Sequence, residues 1–159
     1  MKTSTVLVVD DNSDDLLLLK LACKAASPCF QMRAADGGEA GIAYLESSRV
    51  GGTPEVCPLP QLVLLDLKMP GMSGFDVLAW LRSQREFAHL PVAILTSSIH
   101  PEDRARAMEM GADHFFVKPV GYEGLQDLVR TIEDLVSRKL PPGEMNDWRA
   151  RSGAGKEGI

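Results

Sequence analysis

Five short apolar runs punctuate the chain: "TVLVVD" (5–10), "FQMRA" (30–34), "LVLLD" (62–66), "VAILT" (92–96) and "HFFVK" (114–118). Each has the length of a β-strand. Between and after them, apolar residues recur at helical spacing over roughly 14–26, 37–47, 74–84, 101–111 and 122–138. The last stretch is the clearest, because Leu125, Leu128, Val129, Ile132, Leu135 and Val136 follow the i, i+3, i+4, i+7 stripe of an amphipathic helix. Pro101, followed by Glu102 and Asp103, opens the fourth helix with a residue suited to the first helical position and with acids that complement the helix dipole; Gly111 is placed to close it.

Strands that alternate with helices argue for right-handed βαβ units and a parallel sheet covered on both faces. The runs at 6–9, 62–65 and 92–95 are continuously apolar, as strands buried on both sides should be. The run at 30–34 instead alternates Phe30, Met32 and Ala34 with Gln31 and Arg33, which predicts a half-exposed edge strand with the first set turned inward. Two segments fit no element. "SSRVGGTPEVCPLPQ" (47–61) carries Gly and Pro in a pattern of a long surface connection, and "PPGEMNDWRARSGAGKEGI" (141–159) opens on a Pro-Pro break and is rich in Gly and charge. The expected organisation is one domain over 4–138 followed by a flexible tail over 139–159, with no room in that tail for an output domain.

Composition narrows the function classes. With 17 basic residues against 22 acidic and a net charge of -5, the chain has no basic stripe with which to hold nucleic acid or an anionic membrane. The N-terminus reaches acid too soon for a signal peptide, and no run of eighteen apolar residues exists to span a bilayer. Cys23, Cys29 and Cys57 lack metal-type spacing and are odd in number, so they read as reduced thiols with core roles. A cytoplasmic location follows as an expectation.

The chemistry lies where the strands end. In a parallel α/β sheet, ligands collect outside the carboxyl ends of the strands, where strand order reverses. The first strand ends in Asp10-Asp11, the third in Asp66, the fourth in Thr96 and the fifth in Lys118. Asp14 and Asp15 are most simply first-turn acids of the first helix, with Asn12 or Ser13 as its N-cap. Asp10, Asp11 and Asp66 taken together are different, because clustered carboxylates repel and raise one another's pKa unless a cation sits among them. An oxygen-only donor set favours a hard cation such as Mg²⁺, and the lack of a Cys/His cluster argues against zinc. Lys118 and Thr96 would face an anion held by that cation.

The motifs "VLVVDDN", "LVLLDLKMPGMSG", "VAILTSS" and "GADHFFVKP", in this order, make the chain from about residue 4 to 138 resemble the receiver domain of two-component response regulators, of the chemotaxis-regulator type. The resemblance implies a flavodoxin-like (βα)5 fold with a doubly wound five-stranded parallel sheet of order 2-1-3-4-5. It implies that Asp66 is the phosphoacceptor, taking a phosphoryl group from a sensor histidine kinase or a phosphotransfer protein. By the same resemblance Mg²⁺ would be held by Asp11, Asp66 and the backbone carbonyl of Lys68, with Asp10 acting through a water. Thr96 and Lys118 would bind phosphoryl oxygens, Phe115 matches the switch aromatic, and Lys118-Pro119 matches the usual cis peptide.

Phosphorylation would then alter a protein-binding surface on the fourth helix, fifth strand and fifth helix, read by a downstream protein. Arg104, Glu109, Arg130 and Asp134 lie on that face, where many receivers form a two-fold dimer, while Ala105, Met108 and Ala112 are expected in the core. The side chain of Lys68 occupies a position that varies in the family and can tune the lifetime of the phosphoaspartate. The stretched 47–61 loop and the short tail resemble those of stand-alone regulators paired with phytochrome-type sensor kinases. A conventional enzyme is disfavoured. A haloacid-dehalogenase-type phosphatase needs a second Asp two residues after its nucleophile, and Lys68 and Asn12 stand at those positions. A receiver reduced to a docking module would have lost a site residue, and all are present.

Overall fold

The computed structural model describes residues 4–26, 28–49 and 57–137. The middle of the long 47–61 connection and the whole 139–159 tail lie outside them. Five strands, β1 (Ser4–Val9), β2 (Phe30–Ala35), β3 (Leu62–Leu65), β4 (Val92–Thr96) and β5 (His114–Val117), alternate with five helices. These are α1 (Ser13–Ala26), α2 (Gly38–Arg49), α3 (Gly74–Ser83), α4 (Pro101–Glu109) and α5 (Tyr122–Val136), with a short 3-10 turn over Arg85–Phe87. All strand pairs are parallel and the sheet order is β2-β1-β3-β4-β5. The architecture is therefore the doubly wound 2-1-3-4-5 sheet expected from the motifs.

Strand periodicity divides the core in two. Leu7, Val9, Val63, Leu65, Val92, Ile94 and Phe115 point to the side covered by Phe75, Leu78 and Leu81 of α3 and Ala107 of α4. Their neighbours Val6, Val8, Leu62, Leu64, Ala93, Leu95 and Phe116 point to the side covered by Leu19 and Cys23 of α1 and Leu128, Val129 and Ile132 of α5. Each central strand thus buries both sets of its alternating side chains, which is why those runs contain no polar residue.

The edge strand departs from the alternation expected of it. Phe30 is buried and Met32 partly so, but Ala34 is exposed and Ala35 is the buried residue at the end of β2. Ala34 pairs with Val8 on the α1 side of the sheet, at a level the helices leave open, whereas Ala35 joins the opposite core. On α4, Ala105 is exposed and the buried alanine is Ala107, because residues two apart on an α-helix point to opposite sides and Ala107 faces the sheet. Of the cysteines only Cys23 is core. Burial, with Glu133 adding to it, pushes its thiol up to about 11, while Cys29 is exposed and Cys57 half-buried.

The register places the first residues beyond β1 and β3 side by side. Val9 pairs with Leu65, the Asp66 N–H donates to the Val9 carbonyl (3.0 Å), and Asp10 and Asp66 follow directly. The loop after Asp66 is pinned by a turn at Gly71 (φ +74°) and by α3, whose first residue is Gly74. A Cβ at Gly74 would lie 2.8 Å from the Leu67 Cα and 2.9 Å from the Asp66 carbonyl carbon, so only glycine lets α3 start this close to the backbone of Asp66. Ser73 and Asp76 complete that start as a capping box.

Candidate functional site

The carboxyl ends of four strands converge on one polar cleft of about 480 Å³, to which Asp11, Asp66, Lys68, Thr96 and Lys118 contribute. Asp10, Asp11 and Asp66 each direct a carboxylate oxygen to within 4.8 Å of the others. Asp10 and Asp66 are buried. Lys118 enters from the end of β5, and its Nζ lies 2.7 Å from Asp10, 2.8 Å from Asp15 and 3.2 Å from Asp66. Its backbone is set by the Lys118 N–H, which donates to the Thr96 carbonyl (2.8 Å).

Asp15 is therefore more than a first-turn acid. Asn12 caps α1 by accepting from the Asp15 N–H (3.0 Å), and the Asp15 carboxylate then reaches Lys118. No local signal reveals this, because the partner stands 103 positions away. Asp14, by contrast, is an exposed acid in the first turn of α1.

Charge in the cluster is lopsided. Three carboxylates, Asp10, Asp15 and Asp66, meet the Lys118 ammonium, and Asp11 brings a fourth carboxylate within 4.8 Å of Asp10 and Asp66. Burial pushes the Asp10 carboxyl above its usual range, Asp66 adds to the rise, and hydrogen bonds from Lys118 and from the Asn12 N–H oppose it. Burial alone would lower Lys118, but its hydrogen bonds to Asp10 and Asp15 and the charge of Asp66 outweigh that and hold it above the usual lysine range. Lys118 is a fixed cation, yet it cannot balance the acids around it.

The donor set fits a hard divalent cation. Among the described residues this is the one group of three or more clustered ligating side chains, all its ligand atoms are carboxylate oxygens, and they open on a cleft rather than on the sealed core. No cysteine or histidine joins them.

Thr96 is fully buried at the end of β4, and its Oγ1 accepts from the Ser98 N–H (3.3 Å), which leaves its hydroxyl hydrogen to donate. Phe115 is 4% exposed, its ring turned inward among the α3–α4 core with the Arg104 guanidinium 5.9 Å from the ring centroid. The Lys118–Pro119 peptide is trans, which corrects the cis peptide expected from the motif. Trans is the isomer that X–Pro bonds favour by about 0.5–1 kcal/mol, and from it the Lys118 ammonium already reaches three carboxylates.

Lys68, two residues past Asp66, ion-pairs with Asp103 of α4 at 3.2 Å. The same Asp103 oxygen accepts from the Ser98 hydroxyl (2.5 Å), and Ser98 Oγ in turn accepts from the His100 N–H (3.3 Å). Hydrogen bonding from Ser98 and the charge of Lys68 keep the Asp103 carboxyl below its usual range. Neither partner stands out in the sequence, since Asp103 reads there as an ordinary first-turn acid.

A family model described as the response regulator receiver domain matches residues 6–130. The chain is 30% identical over 130 residues to FilR2, a probable methanogenesis regulatory protein of Methanothrix harundinacea, covering 82% of this chain and 79% of that protein. The response regulator Rcp1 of Synechocystis, solved in an Mn²⁺-bound form, matches at a TM-score of 0.72 and 26% identity, over 87% of this chain and 98% of that one. The bacteriophytochrome response regulator AtBRR matches at a TM-score of 0.65 and 33% identity, over 85% of this chain and 94% of that one. The chain spans 26% of the length of one curated relative and 60% of another. Among the described residues no helix is long and apolar enough to cross a membrane.

Proposed function

Because the chain belongs to the response regulator receiver family, as its match over residues 6–130 shows, we propose that it is a phosphorylation switch whose phosphoacceptor is Asp66. The observation that carries this reading is the Asp66 carboxylate itself. It is buried at the switch point, 3.2 Å from the Lys118 ammonium and clustered with Asp10 and Asp11.

The step is a group transfer. An Asp66 oxygen attacks the phosphorus of a phosphohistidine, the P–N bond breaks, its electron pair returns to the imidazole nitrogen and takes up a proton, and a P–O bond to Asp66 remains. Asp11, Asp66 and the backbone carbonyl of Lys68 would hold Mg²⁺, with Asp10 acting through a water. The ion supplies charge neutralisation between the two reacting anions.

The residues of the chain do the rest. Lys118 holds the Asp66 oxygen and offers its ammonium to the incoming phosphoryl group, and the Thr96 hydroxyl donates to a second phosphoryl oxygen. The product carries roughly 1.5–2 negative charges on three phosphoryl oxygens where the carboxylate carried one. Drawing Thr96 toward them alters the packing behind it, where Phe115 and α4 sit, and so changes the surface formed by α4, β5 and α5. A coupling of about 1–3 kcal/mol is enough to change affinity for a downstream protein usefully.

The similarity to Rcp1 and to a bacteriophytochrome response regulator supports a sensor histidine kinase of the phytochrome type, or a phosphotransfer protein, as phosphoryl donor. The protein would act in the cytoplasm through a receiver over 4–138. The α4–β5–α5 face, with Arg104, Glu109, Arg130 and Asp134, is the surface offered for a two-fold dimer. Intact-mass measurement after incubation with phosphoramidate and Mg²⁺ tests the central step: one phosphoryl group is expected on the wild type and none on Asp66→Asn. Equal modification of the two would end this reading.

A further inference from the structure

Lys68 and Asp103 tie the loop after Asp66 to the first turn of α4. Lys68 stands two residues after Asp66 and lines the cleft that the phosphoryl group would occupy. Asp103 stands in the first turn of α4, on the far side of the β4–α4 loop, and its Oδ2 takes both the Lys68 ammonium (3.2 Å) and the Ser98 hydroxyl (2.5 Å). Ser98 is the residue whose N–H donates to Thr96 Oγ1 (3.3 Å). One carboxylate oxygen thus connects the loop after the phosphoacceptor, the N-terminal turn of α4 and, through Ser98, the threonine hydroxyl.

The two partners are unequal. The side chain of Lys68 is 61% exposed and that of Asp103 13% exposed, so the lysine can swing into the cleft while the carboxylate cannot follow it. In the unmodified protein Asp10, Asp15 and Asp66 are bonded to Lys118, and Asp103 is the anion that Lys68 meets. A phosphoryl group on Asp66 replaces one carboxylate charge with roughly 1.5–2 charges on three acceptor oxygens on the cleft side of Lys68. Its pull on the ammonium then competes with that of the single Asp103 charge.

Resting on the assignment of Asp66 as phosphoacceptor, we propose that the Lys68–Asp103 ion pair is a latch that holds the N-terminal turn of α4 against the phosphorylation loop. Phosphorylation of Asp66 opens it by drawing Lys68 to the phosphoryl oxygens. Asp103 then keeps only its bond to Ser98. The turn that carries Arg104, whose guanidinium lies over the Phe115 ring (5.9 Å to the centroid), loses its tether to the β3–α3 loop. Asp103 acts here as a positioning residue, and Lys68 exchanges it for the phosphoryl oxygens.

Residue-resolved amide hydrogen exchange over 98–106 tests the latch, with the phosphorylation state of each sample read by intact mass. In wild type, phosphorylation by phosphoramidate and Mg²⁺ is expected to speed exchange there roughly two- to fivefold, the range a partly exposed ion pair supports. Asp103→Asn, which keeps an acceptor for Ser98, and Lys68→Gln should each show that increase without phosphorylation. Phosphorylation should then add little, and the double variant should match either single one. Phosphorylated wild type with unchanged exchange overturns the latch while leaving Asp66 in place, as does a further full increase on phosphorylating Lys68→Gln. Absence of the mass increase on wild type overturns both.

Discussion

Arg82, at the amino end of the sheet, and Lys118, at its carboxyl end, are both cations held among oxygens, but the oxygens differ. Arg82 spends each of its N–H groups once: Nε and Nη2 donate to the Gly111 carbonyl, Nη1 to the Phe87 and Leu90 carbonyls, and Nη2 again to Asp113. Asp113 also accepts from the Val92 N–H (2.9 Å), so the network staples α3 to the starts of β4 and β5. One charge meets one charge, and the remaining acceptors are backbone carbonyls that the fold presents anyway.

Lys118 instead meets Asp10, Asp15 and Asp66, with Asp11 close by. The planar fork of arginine closes a network, whereas the ammonium of lysine is a point charge among acids that exceed it. The amino end is complete as it stands; the carboxyl end carries a charge imbalance that a divalent cation and a phosphoryl group together can resolve. Structure is concentrated at one edge of the sheet and chemistry at the other.

Removing the staple should have the largest effect on the fold. Arg82→Ala removes the cation from Asp113 and a donor from each of three carbonyls, and a loss of roughly 3 kcal/mol is expected in urea unfolding, the low end for breaking a buried pair because both partners keep some exposure. A loss under about 1 kcal/mol, on the scale of an exposed pair, would show that the two ends are less different than their geometry suggests.

Mg²⁺ should act at the other end. At a concentration ten times its Kd it is expected to stabilise wild type by about 1.4 kcal/mol, with the increment largely lost in Asp66→Asn and Asp11→Asn. Thermal melts with Mg²⁺ and with a chelator check this. An equal increment in wild type and both variants would place the cation elsewhere.

Asp10→Asn should stabilise the metal-free protein at neutral pH by about 1 kcal/mol, the scale of a removed charge conflict, while weakening Mg²⁺ binding. The sign follows from the raised pKa of Asp10. Its favourable contribution to folding is present below the unfolded carboxyl value and is lost as pH rises through the folded one, so the ionised group burdens the fold at neutrality. The advantage of the variant should accordingly disappear on acidification, when wild-type Asp10 is itself neutral; an advantage that persists in acid contradicts the assignment. Asp15→Asn should do least, a change of about 0.5 kcal/mol or less in the same melts, because that carboxylate is the most exposed of the three bonded to Lys118.

The carboxyl edge was far more legible in the sequence than the amino edge. Asp10, Asp66, Thr96 and Lys118 all stand at the ends of apolar runs, so strand periodicity alone delivers them to one rim. Arg82 had no such signal, because its partners are mostly backbone carbonyls of residues whose identities, Gly111, Phe87 and Leu90, say nothing about an arginine. Asp15 and Asp103 are helix-start acids in the sequence as in the structure; their second bonds, to Lys118 and Lys68, depend on long-range packing that local pattern does not encode. Ala34 and Ala105 are exposed against the pattern for a related reason, since alanine is small enough to sit on either side of an amphipathic boundary.

Chemical mapping of the phosphoryl group tests the account most directly. Wild-type protein treated with phosphoramidate and Mg²⁺, reduced with borohydride to convert any acyl phosphate to an alcohol and digested, should carry the modification at Asp66 alone. A chelator should abolish it. Modification at Asp10, Asp11 or Asp15 instead, or at Asp66 to the same extent with the chelator present, would contradict the claim that the imbalance of charge at the carboxyl end of the sheet is built for a divalent cation and a phosphoaspartate.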